Sequence, residues 1–195
     1  FYHHCKEDIA LFAEMGFKVF RMSIAWSRLF PTCLETEPNP EGVAFYRAVF
    51  EELKAHNIEP LVTIWHFDTP LYLEEHEGGW NNRKLTDLYV HFAETCFREF
   101  KGLVKYWLTF NEINNTIQFL DLMDEVSDEY YHEAYQHLHY QYVASARAVK
   151  AGHEIDPENK IGCMICGITN YALTCDPADV WENIYRWERN LFHYG

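Results

Sequence analysis

Apolar positions along the chain keep two spacings, one every three to four residues and one in short unbroken runs, and the two alternate from end to end. Ile9, Leu11, Phe12 and Met15 predict a helix over 4–15, with Gly16 where it should stop. Phe17 to Ile24 reads as a buried strand with one polar intruder, Arg21, and 25–31 as a loop. After the turn-rich Glu37-Pro38-Asn39-Pro40-Glu41-Gly42, Phe45, Tyr46, Val49, Phe50 and Leu53 mark one face of a helix over 43–56. Pro60 to Trp65 is the second strand. Gly78-Gly79 break the stretch after it, and Leu88, Phe92, Cys96 and Phe100 restore helical spacing over 83–100. Val104 to Phe110 is the third strand. The acidic stretch 117–128, with Asp121, Asp124, Glu125 and Asp128, reads as a loop or short helix before a long helix over 129–155. Lys160 to Ile165 is a fourth strand, and Val180, Ile184, Trp187 and Leu191 align on a last helix over 177–191.

Strand and helix therefore alternate, the pattern of an α/β fold with a parallel sheet covered by helices, and no domain boundary interrupts it. Strand starts near 18, 60, 104 and 160 give about four βα units, so a closed (β/α)8 barrel at this spacing needs roughly 400 residues. The expectation is a single unit over 1–195, a partial TIM barrel. In such a barrel reactive groups gather at the carboxyl ends of the strands, and Arg21, His66 and the pair Asn111-Glu112 occupy or approach those ends.

Composition narrows the function without naming it. The 195 residues are 48% hydrophobic and carry 16 Lys and Arg against 30 Asp and Glu, a formal charge of -14. That balance disfavours contact with nucleic acid or an anionic membrane surface, and no apolar run is long enough to span a bilayer. Six scattered cysteines suit free thiols in a reducing cytosol, so the location expected is cytoplasmic. Cys163-Met164-Ile165-Cys166 has redox or zinc spacing but no second pair, and His132, His137 and His139 are expected on a wet or satisfied helix surface. No metal or other cofactor is expected.

The chemistry concentrates in Trp107-Leu108-Thr109-Phe110-Asn111-Glu112-Ile113-Asn114, where an apolar strand stops in a carboxylate flanked by amides. A carboxylic acid there can protonate a glycosidic oxygen and later activate water. With KEDIALFAEMGFKVFRMSIAWSRLFP, PLVTIWHFDTPLYL and its following GGW, WLTFNEIN, KIGCMI and TCDPADVW on the page, the chain resembles glycoside hydrolase family 1, especially its bacterial 6-phospho-β-glucosidase branch. The resemblance implies that Glu112 is the general acid/base, that Asn111 contacts the sugar 2-hydroxyl, that His66 contacts the glycone, and that Arg21 supports the nucleophile's charge. It implies retaining hydrolysis of 6-phospho-β-glucosides to glucose 6-phosphate. Phe67 in place of a tryptophan and Ile113 in place of the proline of NEP match the phospho-sugar branch.

A retaining site needs a second carboxylate about 5 Å from the first, and the resemblance places that nucleophile, with the Ser, Lys and Tyr phosphate ligands, beyond Gly195. It places the first barrel strand and its sugar-binding Gln before Phe1. Asp68, the nearby carboxylate within the chain, is expected to support its loop. Other readings stay open: a salt-bridged structural Glu112, a packed His66, an Arg21 serving architecture, a family 1 β-glucosidase acting on unphosphorylated sugars, or a noncatalytic barrel segment. Trp26, Trp65, Trp80 and Trp107 are expected in the core more than on a sugar. Oligomeric state leaves no trace in the sequence.

Overall fold

The computed structural model describes residues 1–120, 123 and 126–194, with backbone alone for residue 190 and for 192–194. Asp121, Asp124 and Glu125, from the acidic stretch, lie outside the described residues. The chain runs α1 (Cys5–Glu14), β1 (Val19–Ser23), α2 (Trp26–Leu29), α3 (Pro40–Ala55), β2 (Glu59–Trp65), α4 (Leu71–Glu77), a 3₁₀ turn (Gly79–Asn81), α5 (Lys84–Glu99), β3 (Tyr106–Phe110), α6 (Asn115–Leu120), α7 (Asp128–Ile155), β4 (Lys160–Gly162) and α8 (Pro177–Tyr194). All four strands are parallel in the order β1-β2-β3-β4, in register Arg21 to Leu61, Thr63 to Leu108 and Tyr106 to Lys160. This is the expected α/β alternation, laid out as an open arc with each strand beside its sequence neighbour.

Local chemistry sets the element ends. Gly16 ends α1 at φ 85° and Gly78 ends α4 at φ 76°, in the left-handed region where a side chain is costly. Asn39 caps α3 by accepting from the Glu41 amide at 3.0 Å, with Pro40 at the first helical position. Ser127 caps α7 by accepting from the Tyr130 amide at 3.2 Å. One segment departs from its reading as a loop: 26–29 is a short helix, its start pinned by the Ala25 amide donating to the Tyr46 hydroxyl at 2.8 Å. Four residues are too few to display a helical period.

The two faces of the sheet differ. Val62, Ile64, Trp107 and Thr109 are buried on the helix side, beneath α3, α5 and α7. On the opposite face Val19 and Tyr106 are 53% and 41% exposed. The four tryptophans Trp26, Trp65, Trp80 and Trp107 are all buried, as core residues. Asn159 fastens the start of β4 to its neighbours, accepting from Trp107 Nε1 at 3.1 Å and donating to the Gly152 carbonyl at 3.0 Å. A buried amide that meets both partners is satisfied, whereas losing either would leave a desolvated polar group.

Gly152 marks the closest approach of α7 to the sheet. A Cβ there would collide with Ile161 Cδ1 and lie 2.9 Å from Phe97 Cε2. Gly152→Ala is therefore expected to lower stability by about 1–3 kcal/mol through overpacking, more than the roughly 1 kcal/mol that helix propensity returns. Urea unfolding checks this, with Gly167→Ala, which meets no atom within 4 Å, as the silent control.

Candidate active site

The carboxyl ends of β2 and β3 deliver their polar residues to the same edge of the sheet. His66 follows Trp65, the last residue of β2, and Asn111-Glu112 follow Phe110, the last of β3. Arg21 sits in the middle of β1 and reaches across: its Nε donates to Thr63 Oγ1 at 3.1 Å and its Nη2 to Asn111 Oδ1 at 2.7 Å. Three strands are thus joined through one guanidinium. Because Asn111 Oδ1 faces the guanidinium, the Asn111 amide nitrogen is turned away from it as a donor.

The backbone explains why Glu112 stands where it does. Met164 donates its amide to the Phe110 carbonyl at 3.1 Å and accepts from the Ile113 amide at 3.0 Å. A regular parallel ladder spans two residues between those contacts, and here it spans three. One extra residue is accommodated, as in a β-bulge, and Glu112 takes the left-handed conformation at φ 43°. The Asn111 amide turns the other way, to the Trp65 carbonyl at 2.9 Å, and the Asn115 amide donates to the Glu112 carbonyl at 2.8 Å. Glu112 keeps partial exposure while Asn111 is only 4% exposed. A non-glycine residue at positive φ carries strain of order 1–2 kcal/mol, held here by the bonds on either side.

His66 is exposed, and its ring lies 5.6 Å from that of Phe67, which also has positive φ, 61°. Asp68 stabilises this turn, accepting from the His66 amide at 3.0 Å and from the backbone amide of Trp26 at the start of α2. Burial pushes the Asp68 carboxyl up from its ordinary range, against those two amides and the His66 charge. Its acceptor sites are engaged in holding two loops together, in agreement with a supporting role. Under the site, Trp65, Trp80, Tyr89 and Phe110 form an aromatic floor, with Tyr89 stacked on Phe110 at 4.6 Å and Trp80 5.4 Å from Phe110.

The structure bonds Arg21 to Asn111, stands Glu112 beside Asn111 on the bulge, and sets His66 on the next strand end. Thr63 and Met164 hold this arrangement without any mark in the sequence, and Asn114, there only a flanking amide, is bonded to Cys166. An alternating strand pattern cannot show that a threonine on one strand meets an arginine on another. The remaining candidates separate from the site. Cys163 and Cys166 lie beyond the end of β4 rather than within it, and all six cysteines are free thiols. No group of three or more metal-binding side chains occurs among the described residues. His132 and His139 line an open groove of about 480 Å³ with Arg83, Tyr135, Gln136 and Tyr140.

These observations meet a direct match. Residues 1–193 fit the profile of Glycosyl hydrolase family 1. The chain belongs to that family. It is 53% identical to the 6-phospho-beta-glucosidase AscB of Escherichia coli over 98% of this chain and 41% of that protein. It is 50% identical to the aryl-phospho-beta-D-glucosidase BglH of Bacillus subtilis over 98% of this chain and 42% of that protein. The family 1 β-glucosidase of Thermotoga maritima superposes with a TM-score of 0.84 at 30% identity, covering 97% of this chain and 43% of that structure. The chain thus spans about two fifths of the length of the relatives it matches, and its four strands form a partial family 1 barrel.

His137, expected on a wet or satisfied helix surface, is partly buried on α7, its ring 6.4 Å from that of Trp80, and burial pushes its pKa down to about 4. A depressed histidine is neutral in the fold but takes a proton in the unfolded chain near pH 6.5, so its contribution is complete above pH 6.5 and is lost as pH falls toward 4. Stability is expected to decline by at most about 3 kcal/mol across that window, and His137→Leu to remove that part of the decline, read from urea midpoints against pH.

Proposed function

We propose that this chain supplies the acid/base part of a retaining glycosidase active site, and that the protein carrying it hydrolyses 6-phospho-β-glucosides to glucose 6-phosphate and an alcohol or sugar. The observation that carries the reading is Glu112, lifted out of the sheet at the carboxyl end of β3 on a bulge whose neighbour Asn111 is locked to Arg21. The phosphorylated substrate class is supported by the relatives, several of which are named phospho-β-glucosidases at about half identity.

Protonated Glu112 donates to the glycosidic oxygen as the bond to the anomeric carbon breaks, and the carboxylate then takes a proton from water as the glycosyl intermediate is released. Asn111 presents its amide N–H to the sugar 2-hydroxyl, oriented by the Arg21 bond to its carbonyl oxygen. His66 contacts the glycone from the next strand end. Arg21 brings a fixed positive charge to the open face, suited to a second carboxylate supplied by the rest of the barrel. Asp68 does not serve as that second carboxylate, since it is bound to the His66 and Trp26 amides. No metal or organic cofactor enters this chemistry, and the substrate is the sole partner assigned: the charge of -14 argues against nucleic acid and anionic membrane surfaces. Free thiols at all six cysteines fit a cytoplasmic location.

The second reading, a β-glucosidase acting on unphosphorylated sugars, draws on the Thermotoga maritima likeness at 30% identity. The test is hydrolysis of paired chromogenic β-glucosides, with and without the 6-phosphate, by a protein of the relatives' length that carries this chain. Cleavage of the phosphorylated substrate is expected, and cleavage of the unphosphorylated one alone would overturn the substrate class. The 195-residue chain alone is expected to be inactive. Glu112→Gln is expected to cut kcat/KM for a poor leaving group by roughly 10²- to 10⁴-fold, and undiminished activity would remove Glu112 from its role.

A further inference from the structure

Glu112 holds a left-handed backbone conformation that a glutamate does not choose, so its direction depends on what grips the chain on either side. On the β2 side the grip is the Asn111 amide and the Arg21 bond. On the β4 side the backbone ladder ends with the Ile113 amide bonded to Met164, because the next residues turn into α6. There a side chain takes over. Asn114, fully buried, donates from Nδ2 to the Cys166 carbonyl at 3.0 Å and accepts at Oδ1 from the Cys166 amide at 2.8 Å.

That two-point bond has the form of a strand pairing in which a side-chain amide stands in for a peptide. It continues the β3–β4 contact one step beyond the bulge, so the loop after β4 is fixed to the chain on both sides of the extra residue: Met164 grips Phe110 and Ile113, and Cys166 grips Asn114. The loop also lies near the carboxyl itself, since burial and then the Glu112 charge push the Cys166 thiol up. Asparagine is the one residue with a donor and an acceptor at this reach. Aspartate lacks the donor, and glutamine is one methylene longer. At the same time the Asn114 carbonyl accepts from the Ile117 and Gln118 amides at 3.2 Å each, so the residue that holds the loop also starts α6.

We propose that Asn114 is a positioning residue for the acid/base, holding the Cys166 peptide so that the bulge cannot relax and the Glu112 carboxyl stays aimed at the glycosidic oxygen. The inference rests on Glu112 being the acid/base. Its signature is selectivity among leaving groups. A displaced acid slows bond cleavage when the departing oxygen needs a proton and leaves it nearly unchanged when the leaving group departs as a stable anion.

The experiment uses a protein of the relatives' length carrying this chain, with kcat/KM, which reports the first step, measured on alkyl and dinitrophenyl 6-phospho-β-glucosides. Asn114→Ala removes both bonds, and Asn114→Asp keeps the acceptor while losing the donor. Both are expected to lower kcat/KM for the alkyl substrate roughly 10- to 100-fold, with less than about a threefold change for the dinitrophenyl substrate. Equal losses on both substrates, no loss on either, or failure of both variants to fold would overturn the positioning role. Glu112→Gln runs alongside: if it shows no leaving-group selectivity, the acid/base reading itself falls. If it is selective while the folded Asn114 variants are not, the inference about Asn114 fails alone.

Discussion

Met164 engages β3 with both of its backbone groups, and between those two contacts β3 carries one residue more than a parallel ladder accepts. The surplus has to leave the sheet, and the residue that does so is Glu112. Most of the features around it act to hold that departure in one direction. Asn111 is pulled toward β2 by the Trp65 carbonyl and toward β1 by Arg21, and Ile113 and Asn114 are drawn toward the loop after β4. The role proposed for Glu112 rests on a mismatch in register that the contacts on either side contain.

The same logic accounts for the position of the charges. Arg21 is buried enough to need partners and finds two neutral oxygens, on Thr63 and Asn111, leaving its charge uncompensated by any carboxylate among the described residues. A guanidinium so placed favours an anion arriving on the open face of the sheet. Asp68, in contrast, spends its acceptors on backbone amides that join the loop after β2 to α2. Of two carboxylates near one edge of the sheet, Asp68 is thus held by backbone amides, and Glu112 is the one proposed for the chemistry.

Much of this was legible in the chain. The alternation of apolar spacings located all four strands, and the abrupt polar ends of β2 and β3 singled out His66, Asn111 and Glu112. What stayed hidden was of two kinds. The helix at 26–29 is shorter than one clear period, so no pattern could announce it. The bonds of the Asn114 and Thr63 side chains join them to partners 52 and 42 residues away, which a linear reading cannot connect. The partial burial of His137 follows from the same spacing: Ala134, Leu138 and Gln141 mark the buried face of α7, and His137 lies beside them on the helix.

The most direct test of the account is a crystal structure of a protein of the relatives' length carrying this chain, read for one distance. With Glu112 aimed by its bulge into a retaining site, its carboxyl group is predicted to lie about 5 Å from a second carboxylate across the open face of the sheet. A gap of about 9 Å, the spacing of inverting enzymes, or a Glu112 side chain turned toward the helices, would contradict it.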